Sequence, residues 1–318
     1  MIRYLLGRLL QAVVVLWAAF TVTFVVLYLL PSDPVAIQLG AAGIETDSLS
    51  PQQLAAAKAQ YGLDRPVLEQ YWTLLTGVLH GDFGTSIAKH VPVSQLIGDR
   101  IGATLLLSAI AGVLAVGLGT TLAYLAAFVR TRALRLLLDR LPALGVAIPT
   151  FLVGLALIQF FSFQLGWVPS TGSGGWQYLI LPVITMALPA AAQLAQVLGR
   201  SFHDTLREQY IVTARAKGLS RGQVQLRHAF RNAALPALTI VGVLVGVTVT
   251  SAIVVETVFN RNGIGRLAQE SVLVKDVPVV QAIVVLAATG FVLVNLLVDL
   301  LYPLLDPRIT HTATVEGG

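Results

Sequence analysis

Long uncharged apolar runs alternate along the chain with short charged islands, and the lengths of those runs match a membrane. Residues 9–32 carry no charge and follow Arg3 and Arg8. The run exceeds the roughly 20 residues that an α-helix needs to cross about 30 Å of hydrocarbon, and it predicts a first span over Leu9–Leu30. A cleaved leader would have a shorter apolar core of about 7–15 residues ending in small residues. This run ends in Leu29-Leu30-Pro31 and favours a retained helix. Residues 101–129 are uncharged and are followed at once by Arg130, Arg132, Arg135 and Arg140, which predicts a second span and a charged turn. No charge occurs from Leu141 to Gly199, so that stretch must hold two spans. The turn Trp167–Trp176 joins them, with tryptophans suited to a membrane interface. An apolar run to Val255, a loop from Asn260 to Pro278 and a last span over Val279–Tyr302 complete six helices. The expected class is an all-α polytopic membrane protein.

Prolines punctuate the middle spans at Pro142, Pro149, Pro182 and Pro189. Such prolines are tolerated when neighbouring helices or water satisfy the freed carbonyls. Kinked helices around a pathway and ordinary packing bends both remain open. Residues 33–100 form the longest polar segment, with seven acidic and four basic residues. Ser50 and Pro51 read as N-cap and first residue of a short helix that Gly62 closes. A second helix is expected from Pro66 to Leu79, its apolar face carried by Leu68, Tyr71, Trp72 and Leu75. The segment reads as an extracytoplasmic helical insert that rests on the membrane surface, receives another protein, or is a plain ordered loop. Asp82-Phe83-Gly84 matches a kinase metal-binding tripeptide, but no Gly-rich nucleotide loop accompanies it, and the match is coincidental.

Between the fourth and fifth spans lies a charged island, Arg200–Thr239. Ser201 with Asp204 resembles a capping-box start, and Phe202, Leu206, Tyr210 and Ala214 then share one helical face. Gly218 is placed to end that helix in the left-handed conformation. Ser220 with Gln223 restarts a second helix by the same capping logic. Ala214, Ala216 and Gly218 carry almost no side chain, so another surface could approach the backbone, while Arg207, Arg215, Lys217 and Arg221 surround the spot with positive charge. A basic loop needed only for membrane topology fits the same residues.

Composition strengthens the membrane reading, since 56% of the 318 residues are hydrophobic and 12% are charged, about half the charged share of a soluble domain. With both termini inside, the cytoplasmic side carries 14 basic and 5 acidic residues against 7 and 9 outside, counted from the sequence. This bias follows the positive-inside rule and accounts for the basic balance without nucleic acid. There is no cysteine, so disulfides and thiolate metal sites are excluded. No G-x-x-x-x-G-K-[ST] occurs, so the chain does not cradle ATP with a P-loop. Its five histidines lack H-E-x-x-H spacing. Intramembrane proteolysis by Ser108, Ser162 or Ser251 finds no histidine on a facing span. A secondary transporter would call for inverted repeats with matched broken helices, which the sequence does not display. Two carboxylates, Glu256 and Asp299, fall within or near spans, where an ionisable group is a pathway candidate by default. A helix end or a neighbouring Arg261 or Arg308 would satisfy them equally well.

The island contains Tyr210-Ile211-Val212-Thr213-Ala214-Arg215-Ala216-Lys217-Gly218-Leu219 and then Arg227-His228-Ala229-Phe230-Arg231-Asn232-Ala233-Ala234-Leu235-Pro236. It resembles the cytoplasmic "EAA" loop of bacterial ABC-importer permeases, in the form used by the dipeptide/oligopeptide/nickel permease family. Leu30-Pro31-Ser32-Asp33-Pro34-Val35, Tyr61-Gly62-Leu63-Asp64-Arg65-Pro66, Gly81-Asp82-Phe83-Gly84-Thr85-Ser86, Glu256-Thr257-Val258-Phe259 and Asp299-Leu300-Leu301-Tyr302 through Leu305-Asp306-Pro307-Arg308 match in order. The chain departs from the pattern at Val212, where the general loop has an acid, at Ser32, where glycine is usual, and at Asn262, where proline is common.

The resemblance implies a permease with N-terminal segment and first helix in 1–32 and insert in 33–100. A core at 101–306 would contain a coupling loop at 200–235, and a tail at 307–318 would lie in the cytoplasm. It implies ATPase coupling through Tyr210, Thr213, Ala214, Arg215, Ala216, Lys217, Gly218 and Leu219. Expected partners are a homologous second permease, two cytoplasmic ATPase subunits that bind the ATP and magnesium, and an extracytoplasmic binding protein. The expected location is a bacterial inner membrane. Di- and oligopeptides are the leading cargo, with nickel and other small solutes also used in the family. Cysteines placed at Lys58 and Arg221 of this cysteine-free chain should react from opposite sides of the membrane. Labelling of both by an impermeant reagent in intact cells would overturn the six-span topology with the N-terminus inside.

Overall fold

The computed structural model describes residues 2–29, 50–60 and 64–305. Helices α1 (Ile2–Leu29), α2 (Pro51–Gln60), α3 (Val67–Leu79) and α4 (Val93–Phe128) come first. Next are α5 (Arg132–Ala147), α6 (Thr150–Leu157), continued by a π-helical stretch Ile158–Gln164, and α7 (Ile180–Thr205). Then follow α8 (Gln209–Ala216), α9 (Phe230–Val258), α10 (Ile264–Leu273) and α11 (Val277–Leu305). Among the described residues the sole β pairing recorded is an isolated bridge between Thr85 and Pro92. The matched segments Leu30–Val35 and Tyr61–Leu63, the closing Gly62 and the tail 307–318 lie outside the described residues.

Among the described residues five helices are long and apolar enough to cross a membrane, and a sixth crossing arises if α5 and α6 with its π-helical extension count as one. That pair is bent by 101°. Sequence reading expected a span here and left open whether its prolines kink it; the break has a local cause. Pro149 disfavours helical backbone at the residue before it, and Ile148 is extended at φ −87°, ψ 125°. The segment Asn260–Pro278, expected as a loop, contains helix α10. Its Ile264, Leu267 and Ser271 are buried at helical spacing, a periodicity that the polar residues between them obscure.

The chain divides into two units, one of residues 1–104 and 262–292, the other of residues 105–261 and 293–318. In the first, α3 turns Tyr71 against α1, with ring centroids 5.5 Å from Phe20 and 5.2 Å from Phe24. The Tyr71 hydroxyl also meets the Thr21 hydroxyl at 2.8 Å. A core of Val93, Ile97, Leu267, Val279 and Ile283 packs the start of α4 with α10 and α11. Beside it the buried carboxylate of Asp276 accepts hydrogen bonds from the Ser86 hydroxyl and from the backbone N–H groups of Ile87 at 3.2 Å and Ala88 at 3.3 Å. These donors offset the cost of burying the charge.

The second unit is built around α7, whose apolar window is 61% buried. Its surface toward α4 and α5 is made of alanines, and the facing helices bring glycines to it. A Cβ on Gly119 would lie 2.7 Å from the Ala191 carbonyl oxygen, and one on Gly145 would lie 2.7 Å from the Ala192 Cβ. One on Gly154 would meet the Phe259 ring at 3.2 Å. Small residues permit this approach, and in lipid, where apolar burial gives helices no drive to associate, close packing supplies much of the attraction.

Two expectations follow. Gly119→Val forces backbone apart at α7 and should cost about 1–3 kcal/mol. Gly117→Ala, whose Cβ meets nothing within 4 Å, should be neutral. Thermal melts in detergent compare them, and equal melting temperatures would contradict the packing argument.

Glu270 lies 3.0 Å from Lys89 Nζ and 2.9 Å from Arg266 Nε. Burial raises its pKa, but the hydrogen bonds and charges of Lys89 and Arg266 more than reverse that and hold it below its ordinary 4.5. A depressed carboxylate stabilises the fold above its ordinary pKa and ceases to do so as pH falls through the folded value. With the Glu270 side chain 35% exposed, solvent screens the pairs, and their worth is at most about 1 kcal/mol. Glu270→Gln should melt slightly earlier near neutral pH and indistinguishably from the parent in acid. An undiminished difference in acid would sink this assignment.

Candidate functional site

Helix α7 positions the charged island by running beyond its apolar part. Ser201 and Asp204, expected to start a new helix, instead lie in the last turns of α7, which continues unbroken to Thr205. The actual break is at Leu206–Glu208, closed by Leu206 N–H to Phe202 O at 2.9 Å and Arg207 N–H to Asp204 O at 3.1 Å. No breaking residue separates the apolar part of α7 from Ser201, so the helical ladder simply propagates. Phe202 is fully buried at the turn.

Helix α8 is eight residues long, too short to be stable alone in water. Contacts elsewhere in its unit fix it. Ile211 is 0% and Ala214 6% exposed, and both join a core with Phe202, Val224, Ala229 and Ala233. Burying the Ile211 side chain contributes about 1.5–3 kcal/mol. The Tyr210 hydroxyl accepts from Asn232 Nδ2 at 2.8 Å and donates to the His228 carbonyl at 3.4 Å, tying α8 to the returning segment. Gly218 takes φ +82°. Its N–H reaches Arg215 O at 3.0 Å and the Leu219 N–H reaches Ala214 O at 3.4 Å. That pair of bonds is a Schellman motif, which satisfies the last carbonyls of the helix.

The chain then restarts as read from sequence. Ser220 and Gln223 form a complete capping box around the turn Arg221–Gln223, and a π-helical stretch Val224–Ala229 leads into α9. Two side chains anchor the bracket to the end of α4, and a third, from α5, meets the turn beyond it. Arg221 donates to Ala127 O at 3.0 Å and lies over the Phe128 ring at 5.6 Å. Gln225, 1% exposed, donates to Tyr124 O at 2.9 Å. Arg135 donates twice to Val129 O, at 3.2 and 2.9 Å. Uncapped carbonyls at the end of α4 are thus met by side chains from the island and from α5.

Of the residues singled out in sequence, Arg215, Ala216, Lys217 and Gly218 form one exposed edge. Tyr210 and Thr213 are exposed beside them, and the Thr213 hydroxyl turns back to Gln209 O at 3.2 Å. Ala214 is a correction. Expected as an open point of approach, it is buried in the chain's own core, because the i, i+3 partner of Ile211 must face the same way. Leu219 is half-buried against that core. Sequence reading missed Gln225, His228 and Asn232, whose partners lie far along the chain or across the turn.

Glu256, read from sequence either as a pathway candidate or as a carboxylate satisfied by a helix end or by Arg261, is 1% exposed. It sits in the last turn of α9, where its carbonyl accepts the Arg261 N–H at 2.8 Å. The Arg261 guanidinium is also buried and donates to Tyr178 O at 2.9 Å. Burial lowers the Arg261 pKa and the Glu256 charge opposes that fall. Glu256 is thus buried within reach of the Arg261 charge. Asp299 lies in α11, and its side chain is outside the described residues. Among the described residues no group of three or more His, Cys, Asp or Glu is placed to hold a metal.

Comparison with known proteins agrees with this architecture. Residues 119–311 match the model of the binding-protein-dependent transport system inner membrane component, and residues 1–108 match that of the N-terminal part of such components. The glutathione transport system permease protein GsiC of Salmonella typhimurium (strain LT2) is 40% identical over 311 residues, covering 98% of this chain and 100% of the relative. GsiC of Escherichia coli (strain K12) is 38% identical over the same lengths. Among solved structures, an inward-facing form of the MetNI methionine ABC transporter aligns with TM-score 0.57 and 15% identity, covering 67% of this chain and 97% of that one. An amino acid ABC transporter with histidines aligns with TM-score 0.54 and 18% identity, covering 66% and 94%. These two likenesses concern the fold alone. The chain belongs to the binding-protein-dependent transport system inner membrane components, as a non-catalytic, multi-pass permease subunit of an ABC importer of the peptide-transporter type.

Proposed function

We propose that this permease forms half of a translocation pathway for di- or oligopeptides and couples it to separate ATPase subunits through the exposed edge of α8. The observation that carries the coupling role is a short helix held rigidly at both ends while Arg215, Ala216, Lys217 and Gly218 stay open to solvent. A Schellman motif fixes its C-terminus, Ile211 and Ala214 fix its buried face, and the capping box at Ser220 fixes the return. Such an element transmits displacement without deforming. A force on its open edge passes to α7 and α9, between which it is strung. The basic residues on that edge support a cytoplasmic location under the positive-inside rule, with both termini on the same side.

ATP and magnesium would be bound by the two ATPases, and a homologous permease would complete the pathway. Closure of the ATPases would draw the two α8 brackets together and turn the pathway outward, and an extracytoplasmic binding protein would deliver cargo to the insert at 33–100. The peptide class is supported by the relatives, which are named for glutathione, itself a peptide. Few polar side chains occur in the spans after Leu141, which favours a pathway lined by small residues, backbone and water, permissive toward cargo side chains.

The test is at Gly218. A β-branched residue at φ +82° costs on the order of 1–2 kcal/mol. A Cβ there meets nothing within 4 Å inside the chain, so its bulk projects only toward a partner. Gly218→Val is expected to insert into the membrane yet lose ATPase association or substrate-stimulated hydrolysis. Gly218→Asn, which tolerates the left-handed region, should retain more. Normal peptide uptake by Gly218→Val would leave α8 as a basic topological loop.

A further inference from the structure

Three cavities in the second unit join end to end and change character along their length. The first, about 210 Å³, is lined by Arg135, Arg207, Arg215 and Arg221 with His203. It shares Ala126 and His203 with a second cavity of about 500 Å³. The second in turn shares Leu122 and Pro142 with a third of about 650 Å³, lined almost wholly by apolar side chains such as Leu118, Leu125, Leu144 and Leu152. Those four leucines are 41–62% exposed, as lipid-facing residues would be. The result is a trough, basic at one end and apolar at the other.

The basic end carries uncompensated charge. Among the described residues none of its four arginines is in an ion pair, and the charges that act on Arg221 are those of Arg130, Arg135 and Arg215, all of like sign. Arg135 and Arg221 spend some donors on the Val129 and Ala127 carbonyls. Each guanidinium has five N–H groups, so donors are left over. Guanidinium groups suit phosphate by geometry and weak hydration. The cluster stands at the charged boundary of a span, immediately after Phe128 ends α4. The middle cavity contains Asp139 and Asp204 beside Arg200 and Gln196, which disfavours an anion there and tolerates a neutral polar group.

Length decides what kind of anion fits. From Leu118 to Ala127 α4 advances about 14 Å at about 1.5 Å per residue, close to the roughly 15 Å hydrocarbon depth of one leaflet. A small free anion would use the basic end and leave the apolar end empty. We propose that the trough holds one acidic phospholipid, its phosphate among the four arginines, its glycerol esters in the middle cavity and an acyl chain along the apolar cleft. Basic pockets between membrane helices are known to take such head groups. This site requires the chain to lie in a membrane, which its family membership establishes, and it shares Arg215 with the coupling edge proposed for α8.

The experiment is native mass spectrometry of the full chain released from nanodiscs of phosphatidylcholine with or without phosphatidylglycerol. The parent should retain one phosphatidylglycerol in preference to phosphatidylcholine. Arg207→Gln/Arg215→Gln, which removes two side chains with no hydrogen bond among the described residues, should lose that retention on the order of tenfold. Arg132→Gln, outside the trough, should keep it, and Arg207→Lys/Arg215→Lys should restore most of it. Equal retention by the double glutamine variant would overturn the site. Displacement of the lipid by inorganic phosphate alone would reduce it to a soluble-anion site and overturn the lipid assignment. Unchanged lipid retention together with loss of bound ATPase would assign the arginines to an acidic protein surface instead.

Discussion

The close approach of α4, α5 and α6 to α7 is the constraint on which the second unit depends. In water a helix bundle is assembled by expelling solvent from apolar faces, but in lipid the surroundings are as apolar as the helix. What remains is contact, and contact of backbone with backbone requires that nothing intervene. Gly119 and Gly145 meet α7 at separations where a Cβ would already collide, and a Cβ on Gly154 would be tight against Phe259 and against Thr185 of α7. Leucine-rich faces, by contrast, are turned outward: Val113, Leu118 and Leu144 are 76%, 42% and 62% exposed. Small residues thus hold the closest helix contacts, while large apolar residues occur outside as well as inside, as a membrane allows.

From that packed centre the structure projects a rigid bracket. Because α7 remains helical to Thr205, its far end carries Phe202 into the same core that receives Ile211, Ala214, Val224 and Ala229. The bracket is consequently an extension of the bundle and shares its core. Its two turns use different local devices, a left-handed glycine leaving α8 and a capping box entering the next turn. Both act on backbone groups that would otherwise lack partners. The π-helical stretch at Val224–Ala229 marks where the return joins α9, and Gln225 is buried there against the end of α4.

Two buried acids follow one rule, that a buried charge is surrounded by donors or by an opposite charge. Asp276 collects the Ser86 hydroxyl and two backbone N–H groups. Glu256 and Arg261 lie at the same helix end, and Arg261 also caps the Tyr178 carbonyl. For these two acids the physical evidence is of satisfaction within the fold. Carboxylates near spans thus divide by surroundings, and their depth in the sequence pattern does not reveal which surroundings they have.

The spans were legible because a run of uncharged residues longer than a bilayer is a one-dimensional signal. Helix α3 at Val67–Leu79, the left-handed Gly218 and the Ser220 capping box were also legible, since each is decided by residues within four positions. Less was readable where a local signal competed with continuation. Ser201 and Asp204 look like a cap, yet an established helix extends at little cost and absorbed them. Helix α10 was hidden because half of its surface is polar, and the sharp bend at Pro149 because proline at a helix start and proline within a span look alike in sequence. The pairing of Ser86 with Asp276, the burial of Ala214 and Glu256, the meeting of Gly119 with Ala191 and the gathering of four arginines at the end of α4 belonged to tertiary structure alone. Each joins residues from separate segments of the chain, and sequence pattern specifies which face of a helix is apolar without specifying which other segment will cover it.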